Sequence, residues 1–259
     1  MNMIAALLRK SRRLMARVAL GSGRECCLCG SRIGHFLPYR GGWRAAPPIL
    51  RTLRVVGSDI DHFSCPVCCC HDRERHLRLY LDRLGLFDQM CGKALLHFAP
   101  EPVLTPLIAR VGLSRHVRAD LFPTGPGIEK VDMQAISFPD ASFDFVIANH
   151  VLEHVADDAR ALAELRRVLR PGGRAILQTP YSEVLERTFS DPGIRTAAER
   201  LEVYGQEDHA RLYGRDIFAR FAAAGFHSRV VRHDDALSGV DPVRHGVNRA
   251  EPLFLFEAA

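Results

Sequence analysis

The chain has 259 residues, 47% of them apolar and 25% charged, enough for one substantial α/β core with a small satellite module. No apolar run approaches the roughly 20 residues that a membrane-spanning helix needs, which excludes a helical integral membrane protein and leads us to expect a soluble chain. The net charge of +5 is unevenly spread: residues 1–44 hold nine Arg and Lys against Glu25 alone, so the remainder sits near −3.

Residues 1–24 read as a basic amphipathic leader. Its charges interrupt the apolar run and no small-residue cleavage site follows, which is a poor match to a secretory signal. Such a leader suits contact with RNA or anionic lipid, or a simply solvated helix. The eight cysteines agree with a reducing, cytoplasmic setting, because seven fall before residue 71 in two tight groups rather than along a disulfide framework.

Residues 25–71 contain those groups. Cys26 and Cys29 form one C-x-x-C, followed by Gly30, and Cys65 and Cys68 form another. Two such turns offer four thiolates, the donor set of a closed structural Zn2+ site, which would stabilise a module rather than catalyse. The intervening stretch carries Gly41, Gly42, Pro47 and Pro48, as expected of a loop spanning the site. Cys27, Cys69, Cys70 and His71 lie close enough to compete as ligands.

From Asp72 the pattern changes. DRERHLRLYLDRLGLF has Leu77, Tyr80, Leu81 and Leu84 at helical spacing, with Gly85 as a stop. Strand and helix patterns then alternate: KALLHF, PEPVLTPLIARV, HVRAD, IEKVD, FDFVIAN, DDARALAELRRVLR and GGRAILQT, with FHSRVVRH and PLFLFEA as a closing hairpin. Alternation of this kind predicts a doubly wound, mostly parallel sheet with ligands at the carboxyl ends of its strands. Polar residues recur at those ends: Glu101, Asp120, Asp132, Asn149, His150 and Thr179. Asp120 lies where an acidic side chain accepts from a ribose diol in nucleoside-binding α/β folds, although a helix cap or turn would also account for Asp120 and Asp132.

The block FPDASFDFVIANHVLEHVADDARALAELRRVLRPGGRAILQTP resembles the fourth-to-fifth-strand region of class I S-adenosylmethionine-dependent methyltransferases, in particular the methyltransferase type 11 group. The paired C-x-x-C turns, DRERH, LLHFAPE and YGQEDHARLYG are similar to a subgroup of zinc-knuckle bacterial methyltransferases. The resemblance implies a Rossmann-like, seven-stranded sheet over 72–259, with S-adenosylmethionine held by His97, Phe98, Ala99, Pro100, Glu101, Asp120, Leu121, Asp132, Met133, Asn149 and His150. In that family the first strand ends in an acidic residue and G-x-G-x-G. LLHFAPE departs from this, with Ala99 at the closest approach, Pro100 opening a helix and Glu101 in its first turn, where the helix dipole favours a carboxylate that could meet the cofactor's ammonium group.

His150 and His154 are four apart and would share a face if a helix begins there. YGQEDHARLYG gathers Gln206, Glu207, Asp208, His209, Arg211 and Tyr213 between two glycines, in the manner of a functional loop. From it we expect His209 as general base, Asp208 orienting or charging it, Arg211 free for an anionic acceptor, and Tyr181 shaping the acceptor pocket. His245 and Asn248 are further candidates to border that pocket. The expected activity is methyl transfer to a small-molecule or glycan acceptor, with the zinc module near the acceptor. RNA methylation aided by the basic leader, and a non-catalytic scaffold keeping the fold, are the alternatives.

Overall fold

The computed structural model describes residues 13–18 and 23–259; residues 1–12 and 19–22 of the basic leader lie outside the described residues. The alternating half of the sequence forms one seven-stranded sheet. Its strands are β1 (Ala94–Phe98), β2 (Arg115–Asp120), β3 (Glu129–Lys130), β4 (Phe143–Ala148), β5 (Leu169–Ile176), β6 (Phe226–Ser228) and β7 (Leu255–Ala258). They lie in the order β6-β7-β5-β4-β1-β2-β3. All neighbours are parallel except β7, which runs antiparallel to both β5 and β6. The order reverses between β1 and β4, the place where an open α/β sheet offers a crevice at its carboxyl edge.

The strand sequences explain their places. ALLHF and FDFVIA are almost wholly buried, as central parallel strands covered on both faces must be. One face packs on helix α5 (Asp158–Val168) and α7 (Ile217–Ala223), through Leu162, Leu165, Ile217 and Phe221. The other packs on α2 (Asp72–Arg83) and α3 (Leu86–Met90), through Leu77, Leu81, Leu86 and Met90. The PGG of Leu169–Ile176 interrupts pairing with β4, and the register shifts between Phe143 and Phe145. The hairpin expected at the end of the chain is β6 and β7.

The cysteine-rich segment is anchored rather than appended. Residues Val55–Val56 pair with Tyr181–Ser182 beyond β5, and Asn248 Nδ2 donates to Gly57 O at 2.7 Å. Residues of the leader that are described lie on the second cysteine turn: Arg13 Nη2 reaches Cys69 Sγ at 2.6 Å and Arg17 Nε donates to Pro66 O at 3.2 Å.

The main tie is Arg75, fully buried on α2. Its Nε donates to His245 O at 2.8 Å, Nη1 to Phe63 O and Cys70 O at 3.2 and 3.1 Å, and Nη2 to His62 O and Gly246 O at 2.5 and 2.7 Å. Its guanidinium carbon also sits 3.9 Å from the centre of the Phe36 ring. A guanidinium has five N–H donors in a fixed fork, and five backbone carbonyls take them here. Through Arg75, the DRERH segment thus holds cysteine module, helix and C-terminal segment together by way of carbonyls. Lysine offers three donors on a point charge, and each buried carbonyl left unpaired costs about 1–3 kcal/mol. Arg75→Lys is therefore expected to lower stability by roughly 2–5 kcal/mol in thermal or denaturant unfolding.

Candidate functional site

At the reversal point, the glycine-poor turn after β1 takes a different course from the one expected. Ala99 adopts φ 45°, in the left-handed region, so the backbone makes a glycine-like turn at a cost that an alanine tolerates. Its amide donates to Ala119 O at 2.9 Å. The helix does not begin at Pro100: α4 spans Thr105–Ala109, so Glu101 is not in a first helical turn and receives no support from its dipole. Instead Glu101, 6% exposed, turns inward. Its Oε2 lies 3.0 Å from His97 Nε2, and its Oε1 accepts from Asn149 Nδ2 at 2.7 Å. Burial opposes the charge on Glu101, but the His97 and Asn149 contacts outweigh it and hold the carboxyl below its ordinary value. His97, Glu101 and Asn149 thus form one buried polar group bridging β1 and β4. Phe98 belongs to the core rather than to the turn surface.

The remaining expected cofactor residues lie along the same edge. Asp120 ends β2 half-buried, with Oδ1 accepting from Phe122 N at 2.8 Å, and Leu121 is 41% exposed beside it. Asp132 accepts from Gln134 N at 2.9 Å, and Met133 is buried in the core behind it. Both acids therefore make turns, the alternative left open by the sequence, while standing at the edge where a nucleoside would lie.

Buried atoms without a partner mark where a ligand's polar groups could be received. Among the described residues these include Asn149 Oδ1, Thr105 Oγ1, Glu74 Oε2 and Arg73 Nε. Arg73 and Asn149 line the same small cleft, and Arg73 also lines a much larger cavity. An unpartnered acceptor on Asn149 and the Arg73 cation on the same cleft are the groups that the ammonium and carboxylate of an amino-acid moiety need, and in this the residues present fit S-adenosylmethionine.

The large cavity, about 550 Å³, is walled by the loop between the cysteine pairs (Trp43, Leu50, Ile60), by His150, Glu153 and Pro180 at the sheet edge, and by Tyr204, Gln206 and His209. Its size falls within the roughly 300–1,000 Å³ of small-ligand pockets. The HVLEH segment is not α-helical: His150 has φ 58° and Leu152–His154 is a single 3₁₀ turn. The spacing of four therefore does not place His150 and His154 on one helical face; both instead approach Glu153 Oε1. His150 Nε2 lies 3.1 Å from Glu251 Oε1, and its Nδ1 3.5 Å from Glu153 Oε1. Burial would depress the His150 imidazolium, yet the two carboxylates prevail and hold its pKa up at about 9.

Three residues from the loop reading act differently from expectation. Asp208 does not orient His209; its Oδ2 lies 3.3 Å from His154 Nδ1, and it is Tyr204 O that accepts from His209 Nδ1, at 3.2 Å. Arg211 is buried and donates to Leu152 O and Ala156 O, which leaves it no freedom to hold an acceptor. Tyr181 is outside the cavity wall, packed on Phe218 and Phe254, because its strand pairing with Val56 turns its ring toward the core. His245 and Asn248 likewise serve the cysteine module, through Glu25 O and Gly57 O. Glu251, absent from the sequence expectations, joins His76 of the DRERH segment to His150. Glu251 carries no local signal beyond being a lone acid before a strand.

In the cysteine module, one Sγ from each of Cys26, Cys29, Cys65 and Cys68 lies within 4.8 Å of all the others. The two turns are built alike: Gly30 N donates to Cys26 O at 2.8 Å, and Cys69 N to Cys65 O at 3.0 Å. Gly30 has φ 70° and Cys69 φ 67°. The second turn thus forces a cysteine into the conformation that glycine supplies in the first. Val67 N also donates toward Cys65 Sγ at 3.4 Å. The four thiols fit a tetrahedral S₄ site of the kind zinc favours.

The fold is Rossmann-like, with a mostly parallel central sheet. The family model described as "Methyltransferase domain" matches residues 110–177, the stretch that carries β2 to β5. The chain is 41% identical over 73 residues to an uncharacterized 37.1 kDa protein of a transposon in Streptomyces fradiae, covering 28% of this chain and 21% of that one. It is 39% identical over 66 residues to the ubiquinone/menaquinone biosynthesis C-methyltransferase UbiE of Geobacter sulfurreducens, covering 24% and 26%. It thus spans about a quarter of the length of these curated relatives. Among solved structures, an S-adenosylmethionine dependent methyltransferase from Mesorhizobium loti aligns with TM-score 0.48 and 16% identity, over 68% of this chain and 95% of that one.

Two outcomes follow from this geometry. Glu101→Gln keeps one bond but removes the charge facing His97, and should cost about 1–3 kcal/mol in unfolding measurements. Cys69→Gly should leave bound metal per chain unchanged by elemental analysis and raise stability by about 1 kcal/mol through relief of the left-handed residue.

Proposed function

We propose that the chain is an S-adenosylmethionine-dependent methyltransferase acting on a small-molecule or glycan acceptor. The observation that carries this reading is the position of the family match: residues 110–177 fold as the half of the sheet whose edge presents Asp120, Asp132 and Asn149. S-adenosylmethionine supplies a methyl group already activated on a sulfonium, so the protein has to align the acceptor, exclude water and receive a proton. Asp120 would take the ribose hydroxyls and Asp132 the base side, with Leu121 and Met133 bordering the ring. Asn149 Oδ1 would accept from the ammonium group, with Glu101 behind it, and Arg73 would face the carboxylate. The acceptor would occupy the 550 Å³ cavity, closed over by the cysteine module.

Cys26, Cys29, Cys65 and Cys68 would hold a structural zinc ion, keeping the cavity's outer wall in place. The cavity has the volume of a small-ligand pocket, which supports a small acceptor over RNA. RNA methylation would instead draw on the basic leader and predicts salt-sensitive RNA binding that is lost on deletion of residues 1–24.

Calorimetric titration of the zinc-loaded full chain with S-adenosylmethionine tests the proposal. We expect micromolar binding, and in Asp120→Asn at least tenfold weaker binding with an unchanged melting temperature. A folded, zinc-loaded chain that gives neither heat nor a thermal shift at millimolar cofactor would overturn the enzyme reading in favour of the scaffold.

A further inference from the structure

We propose that Glu153, His154 and His209 form a second metal site, separate from the four cysteines, which holds a divalent transition-metal ion at the wall of the large cavity. One donor atom from each of the three lies within 4.8 Å of the other two, and all three residues line the cavity. Glu153 Oε1 is 4.0 Å from His154 Nε2, and the two imidazoles meet edge to face with centroids 4.8 Å apart.

The outer contacts decide which atoms are left for a cation. His209 Nδ1 faces Tyr204 O, which only accepts, so this nitrogen carries the proton and Nε2 keeps a lone pair. His154 Nδ1 faces both Asp208 O and Asp208 Oδ2, each at 3.3 Å, which makes it a donor and leaves Nε2 bare as well. Glu153 Oε2 accepts from Thr179 Oγ1 at 2.8 Å, so Oε1 is the oxygen left toward the histidines, shared with His150 Nδ1 at 3.5 Å. One donor atom of each residue thus lies within 4.8 Å of the other two, close enough for a single cation to join them. Each ligand is also oriented from behind by a carbonyl, carboxylate or hydroxyl, the outer-shell pattern of built metal sites.

The loop is held in register for this. Ala210 N donates to Glu153 O at 2.8 Å and Arg200 Nη1 to His209 O at 3.0 Å, so His209 cannot swing clear of its partners. Two imidazoles and one carboxylate suit Mn2+, Fe2+, Co2+ or Zn2+, and three protein ligands leave coordination positions open. Those positions face the cavity. They would take an oxygen donor of the ligand there, a hydroxyl or carboxylate. That the ligand is the methyl acceptor rests on the methyltransferase reading; metal binding itself does not.

Mn2+ is the probe, because a four-thiolate site disfavours it. The zinc-loaded full chain is titrated with Mn2+ and the free-ion electron paramagnetic resonance signal followed. We expect one Mn2+ bound per chain, with affinity at least tenfold lower in His154→Asn and in His209→Asn at unchanged melting temperature. Co2+ bound at the same stoichiometry should show ligand-field bands without thiolate charge transfer. No Mn2+ or Co2+ bound beyond the cysteine equivalent at millimolar metal, or binding by both variants as tight as that of the unaltered chain, would overturn the site. The S-adenosylmethionine titration, run without Mn2+, separates that failure from failure of the methyltransferase reading.

Discussion

One buried guanidinium sets the shape of this molecule. Arg75 gives all five of its donors to carbonyls of the cysteine module and of the C-terminal segment, and it does so from a helix packed on the sheet. A cation is tolerated so deep because no donor is left unpaired. The loop between the cysteine pairs is thereby held over the sheet's carboxyl edge, and the cavity exists because that loop cannot leave.

A second polar construction runs beneath the cavity floor. His233 Nδ1 lies 2.9 Å from His76 Nε2, His76 Nδ1 lies 3.4 Å from Glu251 Oε2, and Glu251 Oε1 meets His150, which in turn meets Glu153. Three imidazoles and two carboxylates satisfy one another in a region where a single unpaired charge would be costly, with His233 closing the His76 end. Burial opposes the charges on Glu153 and Glu251, and the facing histidines hold both carboxyls well below their ordinary range. The wall carrying Glu153 and His154 is consequently rigid, as a site that must place ligands to within a fraction of an ångström requires.

The turn after β1 shows how the fold accommodates the loss of its glycines. Ala99 takes the left-handed conformation itself, and Glu101, instead of standing in a helical turn, crosslinks β1 to β4 through His97 and Asn149. The strain at Ala99 is met by a buried, hydrogen-bonded carboxylate that fixes the loop's exit. A glycine loop is mobile until its ligand arrives, whereas this one is braced in advance.

Much of this was legible in the residues. Alternating apolar patterns placed the parallel strands, the C-x-x-C spacing picked out Cys26, Cys29, Cys65 and Cys68, and YGQEDHARLYG marked His209, because each of these signals is local: a side-chain period, a turn, a short polar run. What stayed hidden was how the buried charged and polar side chains pair across the fold. Glu251 meets His150 101 positions away, Arg75 meets Gly246 171 away, and Asp208 reaches His154 54 positions back rather than its neighbour His209. The positive φ of His150, which breaks the helix that would have set His150 and His154 on one face, has no counterpart in a helical count. The chemical groups that stand at the sheet edge are readable from the residues alone, since strand ends follow from hydrophobic period. Which of them face one another depends on the folded chain, because a buried polar group takes whatever partner the fold brings within bonding distance, however far along the sequence.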